Sequence, residues 1–211
     1  MNLTYHKIDV NTFFDKIFYI NIDSRTDRNE LMIDNFKRFG ITNYERVSGI
    51  KFDTLPDKYL YRNFINSNSK YTLGQLGCRE AHVNCIKLAK ERGYKNVFIL
   101  EDDIQFLQNP NDILTYNSPI LENWDMLYFG GLIEQYFRNQ IVMAHAYCVN
   151  SILFDDIINM ANPSGMEIDN FYAKIIHHMS CNHINIGKYR IVPLQPFNTI
   201  IQDKKYNSDI S

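Results

Sequence analysis

Asn96-Val97-Phe98-Ile99-Leu100-Glu101-Asp102-Asp103 is the stretch from which the fold is read. An apolar run rich in β-branched and aromatic side chains leads without a spacer into consecutive carboxylates. A run that is apolar throughout, rather than alternating with polar residues, marks a strand covered on both faces, the habit of parallel sheets. Just upstream, Thr72 and Gln75 have capping-box spacing, and Cys78, Ala81, His82, Cys85, Leu88 and Ala89 fall on one helical face before Gly93. The spacing predicts a helix over 72–92. Further upstream, Lys16 to Ile22 reads as a buried strand. A helix follows from Asp27 to Phe39, with Asp27 and Glu30 at capping-box spacing, Met32, Phe36 and Phe39 as its stripe, and Gly40 as its stop. Arg46 to Ile50 reads as a second strand, and 51–70 as a polar, Asn-rich loop. Downstream, strands are expected at Asp125 to Phe129, Ile141 to Val149 and Arg190 to Leu194. Helices are expected at Ser151 to Ala161 and Ile168 to Met179, with a polar tail over 202–211. Strand and helix alternating with short connections predicts a single α/β domain over 1–211, its mostly parallel sheet flanked by helices.

Composition narrows the function classes. Lys and Arg total 22 against 24 Asp and Glu, a formal net charge of −2, so no global basic excess draws the chain to nucleic acid or an anionic membrane. The apolar runs are too short to span a bilayer, and residues 1–6 show no basic segment followed by an apolar one. The expectation is a soluble protein of a cytosol-like compartment. Cys78, Cys85, Cys148 and Cys181 make no Cys-x-x-Cys motif; Cys78 and Cys85 read as small hydrophobes on the buried face of their helix.

The acidic triplet carries the chemistry. In open α/β sheets, ligands bind beyond the carboxyl ends of the strands. Two carboxylates about 5.5 Å apart repel by about 3 kcal/mol at an effective dielectric of about 20, so a partly buried cluster calls for a cation. Oxygen ligands without neighbouring Cys or His in the sequence suit Mg²⁺ or Mn²⁺. A solvated strand-to-loop turn is the alternative. Arg25 and Arg28, near the start of the first long helix, are either diphosphate ligands or ordinary surface residues. Gly130-Gly131 leaves backbone room for a sugar or makes a plain turn. His82 faces the core as a hydrogen-bonded histidine or serves the site; His177, His178 and His183 have no ligand-like pairing.

Several segments occur in a familiar order: Phe18-Tyr19-Ile20-Asn21-Ile22 with Arg25 and Arg28, Leu73-Gly74-Gln75-Leu76-Gly77-Cys78 with His82, and Ile99 to Ile104. Trp124 to Gly130, Ala146-Tyr147, Ile168-Asp169 and Ser208-Asp209 follow. Across about residues 17–210 the chain resembles glycosyltransferase family 25, the lipopolysaccharide glycosyltransferases and collagen galactosyltransferases. Gln75 stands where the family usually has Glu, and Ala81 where it usually has Ser.

The resemblance implies a GT-A-type (Rossmann-like) fold and a metal-dependent, inverting enzyme that moves a hexose, glucose or galactose, from a UDP-sugar to a glycan or glycosylated protein. It implies Mn²⁺ or Mg²⁺ at Glu101 and Asp103 and a late ligand, frequently His; no His follows His183, so Gln202 or Asp209 substitutes or the third ligand is absent. Asn21, Arg25, Arg28, Ser48 and Asp102 fall to the donor, and Asp169, with Glu167 as fallback, to the general base. Two rivals are a non-catalytic nucleotide-sugar-binding chain, which Gln75, Ala81 and the missing late His motivate, and a Mg²⁺-dependent nucleotidyltransferase, for which the sequence offers no Gly-rich phosphate loop.

Overall fold

The computed structural model describes residues 4–56, 70–134, 140–164, 166–176 and 189–203. In chain order these form α1 (Val10–Phe13), β1 (Lys16–Asn21), α2 (Thr26–Phe39), β2 (Tyr44–Ser48), α3 (Lys70–Glu91), β3 (Asn96–Glu101), β4 (Ile104–Phe106) and α4 (Pro110–Asn117). There follow β5 (Met126–Tyr128), β6 (Leu132–Glu134), β7 (Gln140–Val142), β8 (Ala146–Asn150), α5 (Phe154–Ser164), α6 (Ile168–Phe171) with a π-helical turn over Tyr172–Ile176, β9 (Ile191–Pro193) and β10 (Ile200–Gln202).

The main sheet has the order β2-β1-β3-β8-β5-β9. Its pairings are parallel except around β8, which runs against both β3 and β5. The unbroken apolar strands are covered on both sides, as their composition predicts. Phe18, Ile20, Val97, Ile99, Met126, Tyr128, Tyr147 and Val149 enter one core with α3, α5 and α6. The intervening Ile17, Tyr19, Phe98, Leu100, Leu127, Ala146 and Cys148 enter a second core with α1, α2 and α4. This is the period-two alternation of a strand applied to a sheet with two apolar faces.

Both glycine stops form: Gly40 closes α2 in the left-handed region at φ 65, and Gly93 adopts φ 70 just past α3. Neither predicted capping box does. Arg25 occupies the N-cap of α2 without a side-chain cap, and Asp27 sits in the first turn, where Arg25 holds it. Helix α3 begins at Lys70, so Thr72 lies inside it, and the Gln75 amide reaches Glu167 instead. The expected strand over 141–149 is two strands, broken where Met143 takes φ 73. Of the expected 51–70 loop, residues 57–69 lie outside the described residues, as do Cys181, the three histidines 177, 178 and 183, and most of the 202–211 tail. The described part of that tail is not wholly loop: Gln202 closes β10, which pairs antiparallel with β4.

Candidate active site

Parallel register brings the carboxyl ends of three strands to one edge, with Asn21 opposite Ser48 and Ile20 opposite Glu101. Beyond that edge lies a cavity of about 420 Å³. Its wall includes Glu101, Asp102, Asp103, Arg28, Gln202, Cys78 and His82, with Ile22, Ile50, Lys51, Phe52 and Asp53 on the loop side. Gly77 lets that loop close on α3, since a Cβ there would lie 2.0 Å from the Ile50 carbonyl oxygen.

The three carboxylates have different surroundings. Glu101 Oε1 accepts from His82 Nε2 at 3.2 Å and from the Cys78 thiol at 3.7 Å. Burial alone would raise this carboxyl; His82, aided by His145 and Cys78, reverses that and holds it below the usual range. Asp102 has both oxygens engaged, accepting from Asn21 Nδ2 at 2.7 Å and from Arg28 Nη1 at 2.9 Å. Burial still raises it, against those two bonds. Asp103 Oδ2 accepts from Gln202 Nε2 at 3.0 Å, with Arg28 Nη1 at 3.9 Å. Asp103 Oδ1 is buried and has no hydrogen-bond partner among the described residues. Burial, then the Glu101 charge, pushes Asp103 up to about 7. A buried oxygen without a proton donor, beside a second carboxylate and a side-chain amide, is a donor set that fits a hard divalent cation.

The other expected residues divide. Asn21 is a hub at the end of β1: besides Asp102 it holds the Arg25 carbonyl, and its Oδ1 accepts from Arg46 Nε at 2.9 Å. Arg25 forks onto Asp27, and Ser48 donates to Asp23 at 2.9 Å. Of the donor-side set only Arg28 and Asp102 reach the cavity wall. The clearance at Gly130 is taken by the chain itself: a Cβ there would lie 1.9 Å from the Ile200 carbonyl oxygen and 2.9 Å from His145 Nε2. This glycine makes room for β10, which corrects its reading as space for a sugar. A Cβ on Gly131 would similarly meet Ile141 and Val142 at 2.8 Å.

Glu167 is fully engaged, one oxygen accepting from Gln75 and the other from Asn170, both at 2.8 Å. Asp169 accepts from the Asn170 amide at 2.7 Å, and burial, followed by repulsion from Glu167 and Glu101, raises its carboxyl. Neither lines the cavity. Asp209 lies outside the described residues.

Sequence reasoning missed a buried chain of polar groups behind Glu101. His82 Nδ1 lies 2.8 Å from Tyr147 OH, which lies 3.0 Å from Tyr172 OH. The signal available was His82 itself, on the same helical face as the core cysteines. Arg79 was missed too; it is 1% exposed and donates to the Met166 carbonyl.

Fold and site together define a GT-A-type domain with an acidic pocket at the carboxyl edge of its sheet. The profile described as "Glycosyltransferase family 25 (LPS biosynthesis protein)" matches residues 14–191, and the chain belongs to that family. A Drosophila melanogaster glycosyltransferase 25 family member is 32% identical over 135 residues, covering 55% of this chain and 21% of the relative. The human protein named inactive glycosyltransferase 25 family member 3 is 26% identical over 136 residues, covering 56% of this chain and 22% of the relative. The chain thus spans about a fifth of the length of these curated relatives. Among solved structures, a glycosyltransferase involved in glycosylation of the major capsid of PBCV-1 shares the fold, with a TM-score of 0.51 and 8% identity over 84% of this chain and 79% of that one. No helix among the described residues is long and apolar enough to cross a membrane.

Proposed function

We propose that the chain is a glycosyltransferase that holds a UDP-hexose, glucose or galactose, with Mn²⁺ or Mg²⁺ in the 420 Å³ cavity, and passes the hexose with inversion to a hydroxyl of a glycan or glycosylated protein. The observation that carries this reading is Asp103 Oδ1, buried and without a partner among the described residues, in a cavity shared with Glu101 and Gln202, in a chain of family 25. Those three residues would hold the cation. When bound, the ion supplies the positive charge that stabilises a departing nucleoside diphosphate.

The chain's own residues do the remaining work. Arg28 and Asn21 fix Asp102, which holds the end of β3 rigid beneath Glu101 and Asp103. Lys51 adds a cationic side chain to the wall, and Ile22, Ile50 and Phe52 provide the apolar lining that a base requires. Asp169 takes the acceptor proton: its raised carboxyl is poised closer to neutral pH than an ordinary aspartate, whereas both oxygens of Glu167 are already bonded. Opening of the wall toward Asp169 when the acceptor binds is part of this reading.

A second reading, donor binding without turnover, draws support from the human relative named inactive and from the Gln75–Glu167 hydrogen bond. One experiment separates the two. UDP is titrated calorimetrically with Mn²⁺ and with EDTA, on the parent chain and Asp103→Ala, and UDP release is then followed from a panel of UDP-sugars. Metal-dependent binding lost in Asp103→Ala, together with UDP release, is the expected result. Binding without release favours the second reading, and absence of UDP binding in any condition overturns both.

A further inference from the structure

Glu101 faces two sets of donors. Oxygens lie on its Asp103 side, whereas on the α3 side it meets a sulfur and a nitrogen. Cys78 and His82 are four residues apart on α3, the spacing that stacks two side chains on one face, and Glu101 meets them from the end of β3. The three donor atoms all lie within 4.8 Å of one another.

We propose that Cys78 Sγ, His82 Nε2 and Glu101 form a three-ligand site for a thiophilic divalent cation of the Zn²⁺ class, with its fourth position open to the cavity. Zn–S of about 2.3 Å and Zn–N and Zn–O of about 2.0 Å at tetrahedral angles require S···O of about 3.5 Å and N···O of about 3.3 Å. The structure has 3.7 Å and 3.2 Å. The two separations from Glu101 therefore stand within about 0.2 Å of the required values before any ion arrives, and the sulfur and nitrogen lie within 4.8 Å of each other.

The surroundings of His82 supply a second, independent argument. A metal-binding histidine fixes its ring by donating its other N–H, and His82 Nδ1 faces Tyr147 OH at 2.8 Å, backed by Tyr172 OH at 3.0 Å. With Glu101 accepting from Nε2, a neutral ring has Nδ1 accept from Tyr147. On metal binding the ring proton moves to Nδ1, the two hydroxyls rotate, and Nε2 turns its lone pair to the ion. The Cys78 S–H bond breaks, an S–metal bond forms, and one proton leaves to solvent per ion bound. All three ligands line the cavity, so a water or substrate oxygen fills the fourth position.

Glu101 is shared with the hard-ion set, so a Zn²⁺-class ion withdraws it from Mn²⁺ and inhibits. This competition, but not the site itself, rests on the proposed function. Nitrogen and sulfur donors favour Zn²⁺ strongly over Mn²⁺, so small amounts suffice.

Co²⁺ titration of the metal-free full chain tests the site. Expected are the intense visible bands of tetrahedral cobalt with a near-ultraviolet sulfur-to-cobalt charge-transfer band, both bleached by one equivalent of Zn²⁺. Cys78→Ser and Cys78→Ala each abolish the charge-transfer band and weaken Zn²⁺ binding by about 100-fold or more. A weak octahedral spectrum without charge transfer in the parent chain overturns the proposal, even if neither variant folds. A charge-transfer band that survives both substitutions overturns it too. Mn²⁺ binding with UDP, followed by electron paramagnetic resonance on the same samples, separates the two readings: Mn²⁺ and UDP binding without a cobalt–thiolate signal sinks only this site, and the reverse sinks only the glycosyl-transfer reading.

Discussion

Asp103→Asn should make the metal-free chain more stable relative to the parent as pH rises, while abolishing metal-dependent UDP binding. Asp103 is 5% exposed, and burial and the Glu101 charge raise its carboxyl from 3.8 to about 7. Because the folded value is raised, the unfolded chain ionises first, and the folded state is favoured below about pH 4. That stability drains as pH climbs through the window up to about 7. Applying 1.36 kcal/mol per pH unit across the 3.8-to-7 interval gives about 4 kcal/mol in all, more than half of it lost between pH 5 and 8. Asparagine has no such titration and can still accept from Gln202.

Urea unfolding in EDTA at pH 5, 6, 7 and 8, parent against Asp103→Asn, measures this directly. Contributions from distant groups cancel in the difference. The stability difference should shift toward the variant by about 2–3 kcal/mol across that range. A difference constant to within about 0.5 kcal/mol would refute the reasoning, because Asp103 would then have no desolvated, like-charged neighbour to shed. The same experiment with saturating Mn²⁺ should remove the dependence in the parent and leave the variant unchanged.

Arg28→Ala strips the cation from a pair that is 4% and 9% exposed at its side chains, and should cost about 3–5 kcal/mol by urea unfolding; a loss below about 1 kcal/mol would mean that Asp102 finds another partner. Gly130→Ala drives a Cβ to within 1.9 Å of the Ile200 carbonyl oxygen, so β10 must shift, taking Gln202 with it. A destabilisation of about 3 kcal/mol and weaker Mn²⁺-dependent UDP binding are expected, and an unchanged melting curve would contradict the close approach. Asp169→Asn should lower turnover by about 100-fold or more with UDP affinity retained. In the parent, activity should fall as pH drops through a value above the ordinary aspartate range, since burial raises that carboxyl.

What the sequence disclosed depends on how local the cause is. The strand Asn96–Glu101 and the helix Thr26–Phe39 carry their signals within themselves, in uniform apolarity and in a stripe closed by Gly40, and each was legible to within a residue or so. The capping boxes failed because both helices begin earlier than the pattern suggests: Arg25 takes the N-cap of α2 and forks onto Asp27, and α3 starts at Lys70, with Gln75 bonded to Glu167 across the fold. β4 and β10 were invisible for a different reason. Each has three residues, too few to show a period, and each exists because the other lies alongside, nearly a hundred residues away.

The same distinction explains the site. The carboxylates Glu101, Asp102 and Asp103 were legible as a cluster, yet what differentiates them comes from elsewhere in the chain. Asn21 lies 81 residues from Asp102, Arg28 lies 74 residues from it, and Gln202 lies 99 residues from Asp103. Those long-range partners bind both oxygens of Asp102 and leave one oxygen of Asp103 without a partner among the described residues. His82 and Cys78 read as core residues because their helical face is indeed the core face, and α3 meets the sheet where β3 ends in Glu101. A residue on the apolar stripe of a helix becomes a polar partner when the strand beneath it ends in a carboxylate, and only the crossing of the two elements reveals that. Motif reading therefore picked out the carboxylate cluster at the end of β3, and the pairing of distant side chains gives each carboxylate its own surroundings.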